Sequence, residues 1–485
     1  MAAAFHIENF GCRAARADGE AVSERLRAGG LSDGPPADAD VVIVNTCSVT
    51  AEADRAARAY IRRTHRINPK ARILVTGCYA QRAPEELAGI DGVAAVVGNS
   101  HKALAPEIAA GLANGRERSG EGNPNGLVPI ASVASARGAP VWVDDRFAHS
   151  FLEDSQVLPG VQTRPNLKIQ EGCSNRCTFC VIPRTRGASR SLGADAVLRQ
   201  VENFVAAGGK ELVLSGINLG RWGRDLPRRS GEPGSLAELV RRILLDTSLP
   251  RLRLSSIEPM DWDAELIGMM GEFGGRRLAR HAHLPLQSGS DAVLRRMHRR
   301  YRPWHYVEKV AALAGAVGPD LTIGADVMVG FPGESDREFE ETLDFICSLT
   351  FGYLHLFPFS ARPGTRGWTL QAESPVPAGA VEERMAVLRT LAEEKTAAHR
   401  HRFVGRELQA ITLHTPEAQQ AQGRTVALTE NFLPVEVDTA LAANELIAVG
   451  IREIAADLSL RGTLVNSIPG RGGEIGGLVL AEERF

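Results

Sequence analysis

No stretch of this 485-residue chain is apolar for long enough to cross a bilayer, so a helical membrane protein is not expected. The first ten residues, Met-Ala-Ala-Ala-Phe-His-Ile-Glu-Asn-Phe, contain neither a basic stretch nor an apolar segment. A secretory leader is therefore not expected either. Charge excess is also absent: 56 Lys and Arg stand against 58 Asp and Glu, a formal net charge of −2. Any contact with nucleic acid must come from local basic patches. Cysteine is scarce, at seven residues. Without a leader, so few thiols fit a reducing, cytoplasmic setting, where they serve as metal ligands or catalytic groups rather than disulfides. What remains, 44% hydrophobic and 24% charged residues, is a globular composition, and the length predicts two to four domains.

Three of the seven cysteines fall within Gln170–Gly187 with the spacing Cys173-x3-Cys177-x2-Cys180. Structural zinc sites take four ligands, and no fourth Cys or His follows nearby. Three thiolates on a four-iron cluster leave one iron open to an outside ligand. A metal knuckle or a chance cluster is the plainer alternative. The spacing resembles the signature of the radical S-adenosylmethionine (SAM) enzymes. That resemblance implies a [4Fe–4S] cluster whose open iron chelates SAM. Phe179 stands where those enzymes usually carry an aromatic.

Upstream, residues 3 to about 112 read as an open α/β domain. Val41–Asn45 and Arg72–Thr76 are apolar runs typical of buried parallel strands, and 16–28, 50–66 and 101–112 read as helices. Cys12, Cys47 and Cys78 each follow a strand-like run. Loops beyond neighbouring strand ends share one crevice, so these three would meet. The alternative is three separate small buried hydrophobes. Residues 113–140 are rich in Gly, Ser, Asn and Pro and read as a linker.

From residue 165 strand and helix patterns alternate again, with strands at 167–169, 211–214, 251–255, 283–286, 322–329 and 353–357. This is the arrangement of an incomplete (βα)6 barrel, and the Cys loop follows its first strand, at the end where barrel active sites lie. Cys347, inside helix 335–349, is expected to be a buried hydrophobe. A long helix at 379–402 precedes five short β-like runs, which suggest a small OB-type barrel. The expected division is 1–138, 139–400, 401–467 and a loose tail at 468–485.

Taken together, the residues resemble the radical-SAM methylthiotransferases along nearly the whole chain. The resemblance rests on Phe10-Gly-Cys12, Val44-Asn-Thr-Cys47, Thr76-Gly-Cys78, Leu167-Lys-Ile-Gln-Glu-Gly-Cys173, Leu284-Pro-Leu-Gln-Ser-Gly-Ser290, Gly330-Phe-Pro-Gly-Glu334 and Phe357-Pro-Phe-Ser-Ala-Arg-Pro-Gly-Thr365. It implies a second [4Fe–4S] cluster on Cys12, Cys47 and Cys78 that inserts sulfur, SAM as radical source and methyl donor, and an RNA-binding TRAM module at the C-terminus. The stretches Val42–Thr50, Ala53–Arg55, Ile61–Arg63, Asn68-Pro69 and Val75–Gln81 are most similar to the branch acting on N6-threonylcarbamoyladenosine 37 of tRNA. Isopentenyl-adenosine 37 of tRNA and a ribosomal-protein aspartate are the alternatives within the family. A non-catalytic metal-binding RNA-interaction protein is the alternative outside it. Implied partners are tRNA and a low-potential electron donor such as flavodoxin or ferredoxin, with a monomer as the default.

For SAM, the strand-end candidates are Phe179, Ser215, Gly216, Glu258, Gln287, Gly330 and Glu334, any of which could instead be a turn or cap residue. For tRNA phosphates, the candidates are Arg186, Arg295, Arg299 and Arg300. Two departures from the family stand near Cys12: Ala15 where an Asn is usual, and Asp18 where a Glu is usual. From Arg402 onward 7 basic residues face 11 acidic ones, a poor balance for a stand-alone RNA binder.

Overall fold

The computed structural model describes residues 2–115, 138–149, 157, 159, 163–227 and 231–467. The expected tail at 468–485 and most of the expected linker lie outside them. Among the described residues no helix is long and apolar enough to cross a membrane.

The first domain is a six-stranded parallel sheet. Its strands are β1 (Ala4–Asn9), β2 (Ser32–Asp33), β3 (Val41–Thr46), β4 (Arg72–Gly77), β5 (Val93–Gly98) and β6 (Val141–Trp142), in the order β2-β1-β3-β4-β5-β6. Val41–Thr46 is buried on both faces, which is why it reads as an unbroken apolar run. Helix α1 (Arg13–Ala28) follows β1, α2 (Ala51–Ile67) follows β3, and the short α3 (Cys78–Arg82) follows β4. The expected boundary at 138 falls too early, because Val141–Trp142 pairs with Val96–Val97 and completes this sheet. The helix expected at 101–112 is a 3-10 turn, Asn99–Leu104, followed by an α-helix, Ala105–Ala113, with Pro106 in its first turn.

The central domain has β7 (Asn166–Glu171), β8 (Arg190–Ser191), β9 (Glu211–Gly216), β10 (Arg251–Leu254), β11 (His281–His283), β12 (Thr322–Val329) and β13 (Tyr353–Pro358). Six of them run parallel in the order β7-β9-β10-β11-β12-β13, and β8 lies antiparallel outside β7. The two hydrogen-bonded groups, ending at β10 and beginning at β11, are joined by the bridges Leu252–Leu278 and Ser256–His283. The result is a partial barrel around a core that fully buries Trp222 and Trp262. Its open side meets the first domain: α1 packs on β7 and β9. Beyond β13, Arg362 donates to Asp54 Oδ2 at 2.5 Å and Ser360 Oγ accepts from Ala51 N at 3.1 Å, which fastens the start of α2.

Helix Ala378–His401 leads to a closed five-stranded barrel of β14 (Glu407–Thr412), β15 (Thr425–Thr429), β16 (Pro434–Val437), β17 (Leu446–Ile454) and β18 (Leu460–Ser467). Its β15–β16 turn docks at the amino ends of the central strands. Arg280 Nε donates to Glu430 Oε1 at 2.7 Å, Arg253 Nη2 to Thr429 O at 3.1 Å, and the Phe432 ring stacks on His281 at 4.3 Å. Part of the acidic character of this module thus serves domain docking.

Candidate active site

The auxiliary trio forms at the carboxyl ends of β1, β3 and β4. Cys12 is the N-cap of α1 and exposed; Cys47 and Cys78 are buried. The crowding requires glycine at position 11: φ is +107°, and a Cβ there would sit 2.5 Å from the Cβ of Cys47. Burial pushes the Cys47 thiol up to about 12, and the neighbouring Cys78 and Cys12 push in the same direction. Such thiols lose their protons when a metal coordinates them. Donors already face the sulfurs: Val49 N to Cys47 Sγ at 3.5 Å, and Asn99 Nδ2 and Arg186 Nε to Cys78 Sγ at 3.4 and 3.3 Å. The donor set fits a thiolate-held cluster with one iron unligated by protein.

The second trio lies in the loop after β7. Gly172 has φ +68°, and a side chain there would strike the Ala188 carbonyl. Cys173 N donates to Gly187 O at 3.0 Å and closes the loop. Asn175 N and Asn218 Nδ2 approach Cys173 Sγ at 3.4 and 3.6 Å, and Arg299 Nη1 approaches Cys177 Sγ at 3.4 Å. Burial pushes the Cys180 thiol up to about 12. The three cysteines line a cavity of about 550 Å³ with Arg184, His298 and Thr365.

Between the trios sits a buried ionic hub that the sequence reading did not anticipate. Asp18 accepts from Lys102 Nζ at 2.6 Å, from Arg186 Nη1 at 3.1 Å and from Lys168. Glu171 accepts from Arg186 Nη1 at 2.7 Å and from Lys168. Asp18 and Lys102 belong to the first domain, the other three to the second. Burial opposes ionisation of Asp18, yet Lys102, Lys168 and Arg186 outweigh it and hold the carboxyl below its usual range. A signal existed: Asp18 interrupts the buried stripe Ala14, Ala15, Ala17 and Val22 of α1. The Ala15 departure is met by the backbone, since Asn45 Nδ2 donates to Ala15 O at 2.5 Å and to Asn9 Oδ1 at 2.9 Å.

Two tRNA candidates are corrected. Arg186 is 0% exposed and belongs to the hub. Arg299 is 7% exposed; Nη2 donates to both oxygens of Glu258 at 2.6 Å. Neither is available to a phosphate. Arg300 is partly exposed beside Asp261 at 3.2 Å, and Arg295 is exposed, paired with Asp291 at 2.8 Å. Cys347 is also corrected: its helix turns it to solvent.

The SAM candidates divide. Among the described residues Ser215 Oγ and Gln287 Oε1, buried at strand ends, have no partner, and neither has Ser255 Oγ. Orphaned polar atoms in such a place fit a polar ligand. Gly216 allows close packing over Gln170, whose Cβ a side chain would meet at 2.9 Å. Phe179 is half-buried against the barrel core. Glu258 is committed to Arg299. Glu334 accepts from Gly330 N at 2.8 Å and Arg384 Nη1 at 2.9 Å, so it and Gly330 (φ +75°) shape the turn after β12.

Deeper in the barrel, His283, Asp326 and His355 bring their donor atoms within 4.8 Å of one another. Asp326 Oδ1 lies 3.4 Å from His283 Nε2 and 3.3 Å from His355 Nδ1. Burial raises the Asp326 pKa, but the two imidazoles outweigh it and keep it low.

A barrel of this kind with three cysteines after its first strand defines a radical-SAM enzyme, and residues 167–346 match the Radical SAM superfamily. Residues 4–98 match the family described as Uncharacterized protein family UPF0004. The chain is 34% identical over 433 residues to threonylcarbamoyladenosine tRNA methylthiotransferase MtaB of Bacillus subtilis, covering 89% of each chain. It is 33% identical over 445 residues to the protein of the same name in Aquifex aeolicus, covering 91% of this chain and 98% of that one. It is 30% identical over 470 residues to tRNA-2-methylthio-N(6)-dimethylallyladenosine synthase of Erythrobacter litoralis, covering 96% and 98%. The chain belongs to the radical-SAM methylthiotransferase family.

Proposed function

We propose that this chain methylthiolates C2 of N6-threonylcarbamoyladenosine at position 37 of tRNA. One observation carries the reading: two cysteine trios, in two domains, are tied together by Arg186, which leaves the loop of one and reaches Cys78 of the other at 3.3 Å. Relatives named for threonylcarbamoyladenosine support the substrate branch.

C2 of adenine bears an unactivated C–H that side-chain acid–base chemistry does not remove readily. When bound, two [4Fe–4S] clusters and SAM supply the radical chemistry, the sulfur and the methyl group. Cys173, Cys177 and Cys180 would hold one cluster, and Cys12, Cys47 and Cys78 the other. Ser215, Gly216 and Gln287 would bind the polar parts of SAM. The target base must leave its stack to reach between the domains. Arg295 and Arg300 would meet anticodon-stem phosphates. The electron would come from a low-potential donor such as flavodoxin or ferredoxin, and the chain would act as a monomer.

The test combines anaerobic iron analysis with nucleoside mass spectrometry. The expected iron content is about eight per chain, falling to about four when Cys12, Cys47 and Cys78 are all replaced by Ala. That triple variant should cleave SAM without inserting sulfur. Full iron in the triple variant would sink the two-cluster reading. Methylthiolation of dimethylallyl-adenosine instead would sink the substrate branch.

A further inference from the structure

The floor of the central barrel carries a surplus of positive charge. Glu211 is fully buried and accepts from three guanidinium groups: Arg253 Nε at 2.8 Å, Arg164 Nη1 at 3.2 Å and Arg251 Nη1 at 3.3 Å. Arg253 is 0% exposed, and among the described residues its Nη1 has no partner. Arg13 joins this group from the first domain. Its guanidinium carbon lies 5.8 Å from the centre of the Phe432 ring, and that of Arg253 lies 5.3 Å from the same centre. Among the described residues the Arg13 side chain makes no hydrogen bond and no ion pair. It is solvent-accessible, although it lies over the Phe432 ring beside the buried Arg253. Its guanidinium is thus open to a ligand at the edge of a buried cationic cluster. Arg13 is also the first residue of α1, whose first turn holds no acidic group, so the positive helix end adds to the field. Asp326, on β12, is already engaged by His283 and His355.

A guanidinium so placed calls for an anion. It follows Cys12 directly, so its Cα is about 3.8 Å from that of a residue in the auxiliary trio. A base presented to that trio therefore brings its N6 substituent within reach of Arg13. We propose that Arg13 is a specificity-determining residue that receives the carboxylate of the threonylcarbamoyl group. Arg253 and Arg164 deepen the positive field, and the Phe432 ring, with Tyr353 packed on it at 5.4 Å, lies beside the guanidinium. This rests on the substrate reading above. A hydrocarbon N6 substituent would leave the guanidinium unpaired and would be disfavoured.

The test uses cluster-loaded enzyme and anticodon stem-loops carrying either N6-threonylcarbamoyladenosine or its threonine-carboxamide analogue, equal in size but uncharged. Fluorescence anisotropy reads affinity, and mass spectrometry reads methylthiolation. Wild type should bind the carboxylate form about 10–100-fold more tightly, the range of a charge-assisted hydrogen bond. Arg13→Gln should bring the ratio close to one, and Arg13→Lys should keep part of it. A wild-type ratio near one overturns the proposal without any variant. So does an Arg13→Gln enzyme with full iron and an unchanged ratio; in both cases the substrate reading stands. If wild type modifies only the dimethylallyl-adenosine stem-loop, the substrate reading fails and the proposal with it.

Discussion

Replacing Asp18 by Asn tests whether the two domains are held by charge. Asp18 is 2% exposed and faces the buried Lys102 and Arg186 and the partly buried Lys168. The isosteric amide removes one negative charge and leaves three cations sharing Glu171. Removing one partner from a buried ionic group costs about 3–5 kcal/mol, because the remaining charges stay desolvated. At about 2–4 °C per kcal/mol, the apparent melting temperature should fall by about 6–20 °C. Since the hub spans both domains, the loss should also split one thermal transition into two. The pH dependence has a definite sign. The Asp18 pKa is lowered in the folded state, so its stabilisation is present above the unfolded value of about 3.9 and is lost as pH falls below it. Wild type should therefore lose stability below about pH 4 more steeply than Asp18→Asn. Differential scanning calorimetry of both proteins from acid to neutral pH measures this. A variant melting within about 2 °C of wild type near neutral pH, with the same acid slope, would refute the reasoning.

Arg299→Gln removes the donor to Cys177 and the partner of Glu258. SAM cleavage, read as 5′-deoxyadenosine, should fall about 10–100-fold, as for other outer-sphere losses, while stem-loop affinity stays within about twofold of wild type. Phe432→Ala removes the ring stacked on His281 and should loosen the C-terminal barrel by about 2–4 kcal/mol, at or below the range for a fully buried Phe; faster limited proteolysis near Arg402 would report it. Cys347 is exposed, so iodoacetamide should alkylate it in the folded, cluster-loaded protein well before the other six, and Cys347→Ser should change stability by less than about 0.5 kcal/mol.

The fold was legible where burial imposes a run. Val41–Thr46 and Thr322–Val329 are parallel strands buried on nearly every residue, so their apolar sequences announce them. Val93–Gly98 was missed because Val-Ala-Ala-Val-Val is ambiguous between strand and buried helix. Val141–Trp142 and Arg190–Ser191 are too short to show any period. The Cys173 loop was legible because its three cysteines are local in sequence. The Cys12, Cys47 and Cys78 trio was legible only through topology, since strand ends meet in one crevice. Charge was the hardest to read. Arginines in a polar run look like solvated surface, and nothing local tells Arg295, which is exposed, from Arg299, which is buried on a carboxylate.

The misread arginines reveal a shared construction. Each cysteine trio has one buried arginine against one sulfur: Arg186 at 3.3 Å from Cys78 and Arg299 at 3.4 Å from Cys177. Each arginine is fixed by carboxylates supplied from elsewhere, Asp18 and Glu171 for the first and Glu258 for the second. Donors to sulfur tune what a thiolate-held cluster can do, so with a cluster on each trio such a pair of arginines would set the two sites separately. The two are not mechanically separate, however. Arg186 sits six residues after Cys180, in the segment whose Gly187 carbonyl closes on Cys173 N. A shift of the Cys173 loop must therefore move a donor at Cys78, and the Asp18 hub is what resists that shift. Coupling of this kind needs no hinge or lid: a rigid buried arginine that belongs to one site and touches the other is enough to keep the distance between them constant.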